Sequence, residues 1–270
     1  MTALPTRPRA KRSSWQIQKA VLFALFLREL KTRLDGRWLG VLWLFFEPCA
    51  MLGLQILMFS AWHQVSLPSI EYPVFLITGM LPYFIFQSVA LKLMDAIDAN
   101  RGLFGYRQVK PIDPLIARAA LEVTIKLGVF AICMALMSAL FGLHAAPSRP
   151  LELLGTLTVL LLLCFGLGLL LAVATARLPK SRVFVRLLSF PLYLISGVMF
   201  PLQMVPPAYQ EWLLLNPLLH SVELTRSAFF PGYVLHSGIS AAYLALWALV
   251  VLTVAMALYR VRRERLITVM

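Results

Sequence analysis

Long apolar stretches alternate with short polar ones along this 270-residue chain. Six of the apolar stretches are long enough for a helix of about 20 residues, the length that crosses a bilayer. The pattern therefore predicts an all-α polytopic membrane protein with six transmembrane helices. The predicted spans are residues 38–62, 73–91, 115–143, 151–176, 183–202 and 239–259.

The N-terminal region, residues 1–37, differs from these stretches in pattern. Its apolar run AVLFALFL is too short to cross a bilayer and lies among Lys and Arg side chains. Basic residues beside aromatic ones such as Trp15 and Phe23 are typical of a helix that lies along a membrane surface. We predict an uncleaved tail with an amphipathic interface helix over residues 14–34, because no small-residue cleavage site follows the run.

Prolines divide the segment between the last two predicted spans, residues 201–238. The two apolar pieces that they leave, 208–215 and 218–230, are each shorter than a crossing helix. Irregular backbone at membrane depth normally lines a cavity rather than lipid, so these pieces predict a re-entrant periplasmic hairpin between spans five and six. A pair of helices lying flat on the outer leaflet is the alternative that the sequence leaves open.

Composition and charge agree with this architecture. Charged residues make up 14% of the chain and hydrophobic residues 60%, whereas a soluble domain is about 25% charged. On the six-span topology, 22 of the 25 Lys and Arg residues fall on one side, and only Arg149 and Arg226 fall on the other. Positive residues favour the cytoplasmic side, so both termini are predicted to be cytoplasmic. Because the cations serve membrane orientation, no nucleic-acid partner is expected.

Two ionisable residues fall well inside predicted spans. Glu47 lies in the first span and Lys126 in the third, with Glu122 one helical turn before it. A charge near the centre of a membrane helix costs about 3 kcal/mol, so each is expected to face protein or water. We predict that Lys126 neutralises Glu47; pairing of Glu47 with Arg33 or Arg37 is the alternative.

The sequence contains no catalytic or metal-binding motif. The phosphate-binding loop G-x-x-x-x-G-K-[ST] is absent, so any ATP hydrolysis is expected on a separate chain. His220, Ser221 and Glu223 are close in sequence, but neighbours on one short helix point in different directions. We therefore expect a satisfied polar patch rather than a catalytic triad, and no cofactor, metal or catalytic residue is predicted.

Residues 101–118, which we call the basic island, form a long polar interruption between the second and third spans. They combine cations with aromatic and aliphatic side chains, a mixture typical of protein interfaces, where aromatic and Arg anchors carry most of the binding energy. A solvated loop or a lipid-headgroup contact is the alternative. The residues predicted to form the interface are Arg101, Phe104, Tyr106, Arg107 and Lys110.

Several sequence stretches belong to one recognisable pattern. They include LFLRELKTR before the first span, GVLWLFFEP within it and PVFLITGMLPYFIF in the second, followed by the basic island. FPLYLISGVMFPL, NPLLHSVELTR and ALYRVRRE continue the pattern toward the C-terminus. Together they closely resemble the membrane subunit of ABC-2 type capsular polysaccharide exporters, over nearly the whole chain.

The resemblance implies the partners and the substrate. A subunit of this family pairs with a second copy of itself and with a separate dimer of ATP-binding subunits. The substrate is a capsular polysaccharide carried on a membrane phospholipid, exported across the bacterial inner membrane and passed to periplasmic and outer-membrane export proteins. Residues 38–260 would form the ABC-2 type transmembrane domain, with a coupling loop at 92–117 and a cytoplasmic tail at 261–270.

The same resemblance implies that the basic island and the 14–34 helix contact the ATP-binding subunit. It also leaves two other functions open. A related ABC-2 exporter of O-antigen or teichoic acid is the nearer alternative. A secondary transporter or channel is the more distant one, and the sequence shows no convincing internal repeat in its favour.

Two further sets of site residues follow from the expected path of the substrate. Arg28, Arg33 and Arg37 lie near the cytoplasmic entry and are predicted to bind the phosphate of the lipid linker, with ordinary headgroup contact as the alternative. Tyr209 and Trp212, in the proline-divided segment, are predicted to stack on sugars at the exit. An interfacial aromatic belt is the alternative for these two.

Overall fold

The computed structural model describes residues 13–34, 71–143, 145–176, 178 and 180–268, together with separate residues of the stretch 43–58. Within these residues every regular element is helical, so the all-α prediction is confirmed. The α-helices named here are α1 (Ser14–Leu34), α2 (Tyr72–Met94), α3 (Ala96–Ala99), α4 (Ile112–Phe141), α5 (Pro150–Thr175), α6 (Ser181–Ile195), α7 (Pro207–Leu213), α8 (Pro217–Phe229) and α9 (Ala241–Thr268).

Four of the described helices, α2, α4, α5 and α9, are long and apolar enough to cross a membrane. They coincide within a few residues with the second, third, fourth and sixth predicted spans, except that α9 continues nine residues beyond the predicted end at residue 259. A continuous apolar run must form a helix in a bilayer, because the backbone groups have no other hydrogen-bond partners there. These four predictions are confirmed, and α1 covers the predicted 14–34 helix.

The first and fifth predicted spans have other outcomes. Most of residues 38–62, including Glu47, lies outside the described residues. Cys49 is described, and its thiol sulfur lies 3.2 Å from that of Cys133 in α4. Helix α6, which corresponds to the fifth predicted span, is shorter than the predicted range 183–202.

Helix α6 has 15 residues and ends at Ile195. The chain then turns through Ser196 and Gly197, and Gly197 has a φ of +67°, a left-handed conformation that glycine adopts without strain. The apolar run continues beyond this point, which is why the sequence pattern placed the end of the helix seven residues too late.

Helix α2 forms the centre of the bundle. It packs against α4, α5, α6 and α8, and most of its side chains from Val74 to Met94 are buried. Helix α5 lies between α2 and α9, and α1 packs on α4. The outward faces of α4 and α9 carry exposed apolar side chains such as Leu140 and Leu249, as expected of helices that contact lipid, and α6 also exposes apolar side chains such as Phe190.

Glycines allow α5 to approach both neighbours closely. A Cβ atom on Gly168 would lie 2.8 Å from the Cβ of Leu93 in α2. A Cβ atom on Gly166 would lie 2.9 Å from the backbone of Leu252 in α9. Neither position has room for a side chain, so these glycines determine the spacing of the three helices.

The proline-divided segment forms two short helices joined by a turn, and we call α7, residues 214–216 and α8 the hairpin. Asn216 begins α8: its side-chain oxygen accepts a hydrogen bond from the backbone N–H of Leu218 at 3.0 Å, and Pro217 occupies the first turn. Helix α8 is buried against α2, α5 and α9, whereas α7 has no buried residue. The two predicted helical pieces are therefore present, with ends shifted by one or two residues.

Gly79 of α2 lies in close contact with α8 and with the turn after α6. A Cβ at this position would lie 2.5 Å from a terminal nitrogen of Arg226 and 2.8 Å from the carbonyl oxygen of Val198. We expect Gly79→Ala to destabilise the protein by about 1–3 kcal/mol through overpacking, measured as a lower apparent melting temperature in detergent. Gly155→Ala is the control, because nothing lies within 4 Å of its added Cβ. Equal melting temperatures for the two variants would contradict this packing.

Candidate functional site

Most of the ion pairs among the described residues lie at one end of the bundle. This charged end is formed by α1, the C-terminal end of α2, α3, the basic island with the start of α4, and the start of α6. The hairpin lies at the opposite end, against the N-terminal half of α2. The predicted coupling and phosphate-binding residues that the structure describes are at the charged end.

Glu29 attaches α1 to α4. Its carboxylate accepts hydrogen bonds from Arg118 at 2.8 and 3.1 Å. Burial raises the pKa of Glu29, but hydrogen bonds from Arg118 and Asn100 and the charges of Arg118 and Arg28 outweigh burial and lower it below its ordinary value. The contribution of this contact to stability is therefore present at neutral pH and is lost only as the pH falls through the lowered pKa.

Helix α1 also holds the basic island near both of its ends. Arg28 donates a hydrogen bond to the side-chain oxygen of Asn100, immediately before the island, at 2.8 Å. Gln18 donates to Asp113, in the first turn of α4, at 2.7 Å. The other carboxylate oxygen of Asp113 accepts the backbone N–H of Lys110 at 2.8 Å. Asn100 and Asp113 are both buried, so α1 and the island form one packed unit.

Glu122 of α4 is fully buried and pairs with cations from two other helices. These are Arg33 at the end of α1 and Lys92 of α2, the latter at 2.9 Å. Together with Lys126 they line an open cavity of about 320 Å³ between α2 and α4. The predicted pair of Lys126 with Glu47 falls partly outside the described residues and stays a prediction. Arg33, one of the two alternative partners for Glu47, is engaged with Glu122, and Arg37, the other, lies outside the described residues.

The basic island begins as a short 3-10 helix, Arg101–Leu103, and then turns back toward α4. Arg101, Arg107 and Lys110 are exposed, and so is the ring of Tyr106, at 66% of its surface. Four of the five predicted interface residues therefore lie on an accessible stretch of chain. Their contact with a partner subunit stays a prediction.

Phe104 is placed differently from that prediction. Its side chain is only 7% exposed and belongs to the hydrophobic core, so it offers no surface to a partner. Its backbone N–H closes the 3-10 turn by donating to the carbonyl of Arg101 at 3.1 Å. Burial of the ring removes apolar surface from water, which stabilises the fold by roughly 1.5–3 kcal/mol. The island is thus anchored by Phe104 and exposes Tyr106.

A second cluster of ion pairs joins α6 to the junction of α2 and α3. Arg182 pairs with Asp98 and lies 3.6 Å from Asp95, while Arg186 pairs with Asp95 at 2.5 Å. Sequence reasoning missed these contacts and counted both arginines only as orienting cations. The signal that points to them is the pair of aspartates directly after a membrane span, on the side that carries nearly all the basic residues.

The hairpin contains a buried ion pair at the opposite end. Glu223 and Arg226 of α8 are both 0% exposed and lie 3.0 Å apart. Arg226 also donates to the carbonyls of Gly197 and Val198 at 2.8 and 2.6 Å, and the Tyr233 hydroxyl donates to Glu223 at 2.9 Å. The count of charges placed Arg226 on the side opposite the other cations, which stays a prediction; the structure adds that its side chain is buried, because these partners replace water.

His220 and Ser221 are satisfied separately from this ion pair. The backbone N–H of Ser240 donates to His220 Nδ1 at 3.0 Å, so Nε2 carries the ring proton and donates to the carbonyl of Leu214 at 2.8 Å. The Ser221 hydroxyl donates to the carbonyl of Leu218 at 2.7 Å. The prediction of a satisfied polar patch is confirmed. Within the described ranges, no group of three or more potential metal ligands is found.

The residues predicted to contact the sugar and the lipid lie at opposite ends of the bundle. Tyr209 and Trp212 of α7 are 63% and 74% exposed. Arg28 and Arg33 belong to the charged end, and Arg37 lies outside the described residues. Their roles stay predictions.

Comparison with known sequences identifies the family to which this bundle belongs. A family profile described as "ABC-2 type transporter" matches residues 20–230, from α1 to the end of the hairpin. The chain belongs to the ABC-2 type transporter family. The match includes both the charged end and the buried ion pair of this ABC-2 family member.

Three relatives are similar to this ABC-2 transporter chain along most of its length. The polysialic acid transport protein KpsM of Escherichia coli is 42% identical over 257 residues, covering 95% of this chain and 99% of that protein. The capsule polysaccharide export inner-membrane protein CtrC of Neisseria meningitidis serogroup B is 28% identical, covering 82% and 84%. The inner-membrane protein BexB of Haemophilus influenzae, also named for capsule polysaccharide export, is 27% identical, covering 81% and 82%. The resemblance inferred from the sequence stretches is confirmed.

Proposed function

We propose that this chain is the transmembrane subunit of an ATP-driven transporter that exports lipid-linked capsular polysaccharide across the bacterial inner membrane. The observation that carries the proposal is the 42% identity to KpsM over 95% of the chain. An alignment of this length includes the charged end, the four membrane-spanning helices and the hairpin. The names of the other two relatives, which state capsule polysaccharide export and an inner-membrane location, support the same function.

A separate ATP-binding subunit supplies the energy. This chain carries no phosphate-binding loop, and its basic island offers an accessible surface of mixed aromatic and cationic character. Tyr106 is the aromatic anchor of that surface, with Arg101, Arg107 and Lys110 around it. Because α1 is bonded to the island near both of its ends, a force applied to either one reaches α4.

The chain crosses the membrane six times, with both termini and the island in the cytoplasm. The unequal distribution of Lys and Arg supports this orientation. Residues 38–62 provide the first crossing. Helix α6, about 22 Å long at 1.5 Å per residue, provides the fifth together with the turns that follow it. The hairpin enters from the periplasmic side, and the burial of α8 inside the bundle supports this arrangement over helices lying flat on the membrane.

A second copy of the chain completes the conduit. A polysaccharide needs a water-filled path, because each unpaired polar group costs several kcal/mol in hydrocarbon. The described bundle is filled at its centre by α2, so the path lies between copies rather than within one. The first and fifth spans of the two copies face each other across it. Helix α6 contributes an exposed apolar face that includes Phe184, Leu188 and Ile195.

The two ends of the substrate contact different ends of the bundle. Arg28 is exposed, and one terminal nitrogen of its guanidinium donates a hydrogen bond to Asn100. The other N–H groups of the guanidinium are donors for the phosphate of the lipid linker. Arg33 and Arg37 are the neighbouring cations. At the periplasmic end Tyr209 and Trp212 present exposed rings on which sugars stack as they leave toward periplasmic and outer-membrane export proteins.

Deletion of the gene in its bacterial host tests this function. We expect surface capsule to fall to background while polysaccharide accumulates inside the cell, with both measured by immunoblot of surface and cytoplasmic fractions. A plasmid copy should restore export only when the ATP-binding subunit is also present. Unchanged capsule with loss of O-antigen or teichoic acid would instead favour an exporter of those polymers. Export without the ATP-binding subunit would favour a self-energised transporter.

A further inference from the structure

We propose that Arg182 connects α6 to the basic island and that α6 carries the movement of the island to the hairpin at the opposite end of the bundle. The inference rests on the proposed function, in which the ATP-binding subunit acts on the island. It is drawn from the way α6 is held: polar side chains attach it at both ends, and an aromatic side chain contacts its middle.

At its start, α6 is attached to the junction of α2 and α3, beside the island. Arg182 pairs with Asp98 and lies 3.6 Å from Asp95, and Arg186 pairs with Asp95 at 2.5 Å. Arg182 Nε also donates to the Thr175 hydroxyl at the end of α5, at 3.3 Å. The side chains of Arg182 and Asp98 are only 16% and 25% exposed, so water and salt compete weakly with the pair.

Asp98 is shared between α6 and the island. Arg101, the first residue of the island, lies 2.8 Å from one carboxylate oxygen, and Arg182 contacts the other. Both contacts are charge-assisted, and such hydrogen bonds are shorter and stronger than neutral ones. A displacement of the island therefore acts directly on the carboxylate that holds α6.

At its other end, α6 is attached to the hairpin. The side-chain amide of Asn216 donates to the Ser196 hydroxyl at 3.0 Å and to the carbonyl of Ile195 at 3.4 Å. Arg226 donates to two carbonyls of the turn that follows. The carbonyl of Ile195 is among those that the end of a helix leaves without a partner in the helix itself. The end of α6 is thus joined to α8 by groups that are themselves held in the hairpin.

Between these two attachments α6 is a short helix of 15 residues that contains Pro191. Tyr83 of α2 contacts its middle, where the Tyr83 hydroxyl donates to the carbonyl of Ser189 and the ring packs edge-on against Tyr193 at 4.8 Å between centroids. The outward face is apolar and exposed, so it can slide against lipid or another apolar surface without breaking polar contacts. Rigid helix shifts of about 1–2 Å are typical of conformational transmission in proteins.

Variants of Arg182 in the complex with its ATP-binding subunit test the inference. We expect Arg182→Gln to lower surface polysaccharide in cells roughly tenfold or more, while the ATP-binding subunit co-purifies normally and the complex in nanodiscs still hydrolyses ATP. Arg182→Lys keeps the charge and should restore most of the export. Asp98→Asn and the double variant Asp98→Asn, Arg182→Gln should match the single variant, because all three lose the Arg182–Asp98 pair, through which the inference routes the movement. Arg149→Gln removes an exposed pair with Glu152 and serves as the control.

Normal export by Arg182→Gln, or additive losses in the double variant, would overturn the inference and leave the proposed function intact. Loss of the ATP-binding subunit in proportion to the lost export would also overturn it, because Arg182 would then act in docking rather than in transmission. A wild-type chain that binds no ATP-binding subunit or exports no capsule would overturn the proposed function, and the inference with it.

Discussion

Replacement of Arg226 with methionine is expected to lower the stability of the folded chain by about 3–5 kcal/mol, because it leaves the Glu223 carboxylate buried without its cation. Both side chains are 0% exposed, so water does not replace the lost partner. The variant also removes the two hydrogen bonds that Arg226 donates to the turn after α6. The effect should appear as a fall in the apparent melting temperature in detergent of roughly 10 °C.

The double variant Glu223→Leu, Arg226→Met is expected to be more stable than Arg226→Met alone. Both charges are then absent, and the cost of burying them is absent as well. The Arg226 Nε has no hydrogen-bond partner among the described residues, which adds to the cost of burying this guanidinium. Arg149→Met is the matched control, since Arg149 and Glu152 are also three residues apart but 59% and 58% exposed, and its effect should stay below about 1 kcal/mol. A single variant as stable as the wild type would contradict the buried pair.

Replacement of Tyr106 with aspartate is expected to abolish co-purification of the ATP-binding subunit while leaving the chain inserted and folded. An aromatic anchor at the centre of an interface is worth at least about 2 kcal/mol, which corresponds to roughly 30-fold weaker binding. Tyr106 is 66% exposed, so its replacement leaves the core intact. Phe104→Asp, two residues earlier, is expected instead to unfold the island, because the new carboxylate is buried where Phe104 is only 7% exposed.

Pull-down of the ATP-binding subunit from membranes, at equal expression of each variant, measures the difference. Val234→Asp is the control, because Val234 is 76% exposed in the loop after the hairpin, at the opposite end of the bundle. It introduces the same charge on the surface and should retain the subunit. If Tyr106→Asp retains both the ATP-binding subunit and export, the island is not part of the interface.

The island shows where prediction from the sequence ends. The mixture of aromatic and basic residues was visible in the sequence, but Phe104 and Tyr106 were equivalent candidates for its surface. The turn that closes at Phe104 places one ring in the core and leaves the other exposed. A loop has no periodic pattern from which the buried face can be inferred, so this choice depends on packing against the helices beneath it.

The ion pairs between helices could not be predicted from the sequence either, because their partners are far apart along the chain. Arg118 and Glu29 are 89 positions apart, and Arg182 and Asp98 are 84 positions apart. Their partnership depends on which faces of α1, α4 and α6 meet. Local sequence signals, such as two aspartates directly after a membrane span, indicate that the carboxylates need cationic partners. They do not identify which Lys or Arg residue is the partner.

The sequence by itself determined that this protein is helical, that α2, α4, α5 and α9 are long enough to cross a membrane, and to which family the chain belongs. In a bilayer a helix satisfies its own backbone, so for these four helices the length of the apolar run was sufficient information. Only the tertiary structure decided where α6 ends, that Arg226 is buried and which carboxylate each arginine binds. Those outcomes depend on partners distant in the chain, since a buried charge is tolerated only where packing brings its counter-charge and hydrogen-bond acceptors within reach.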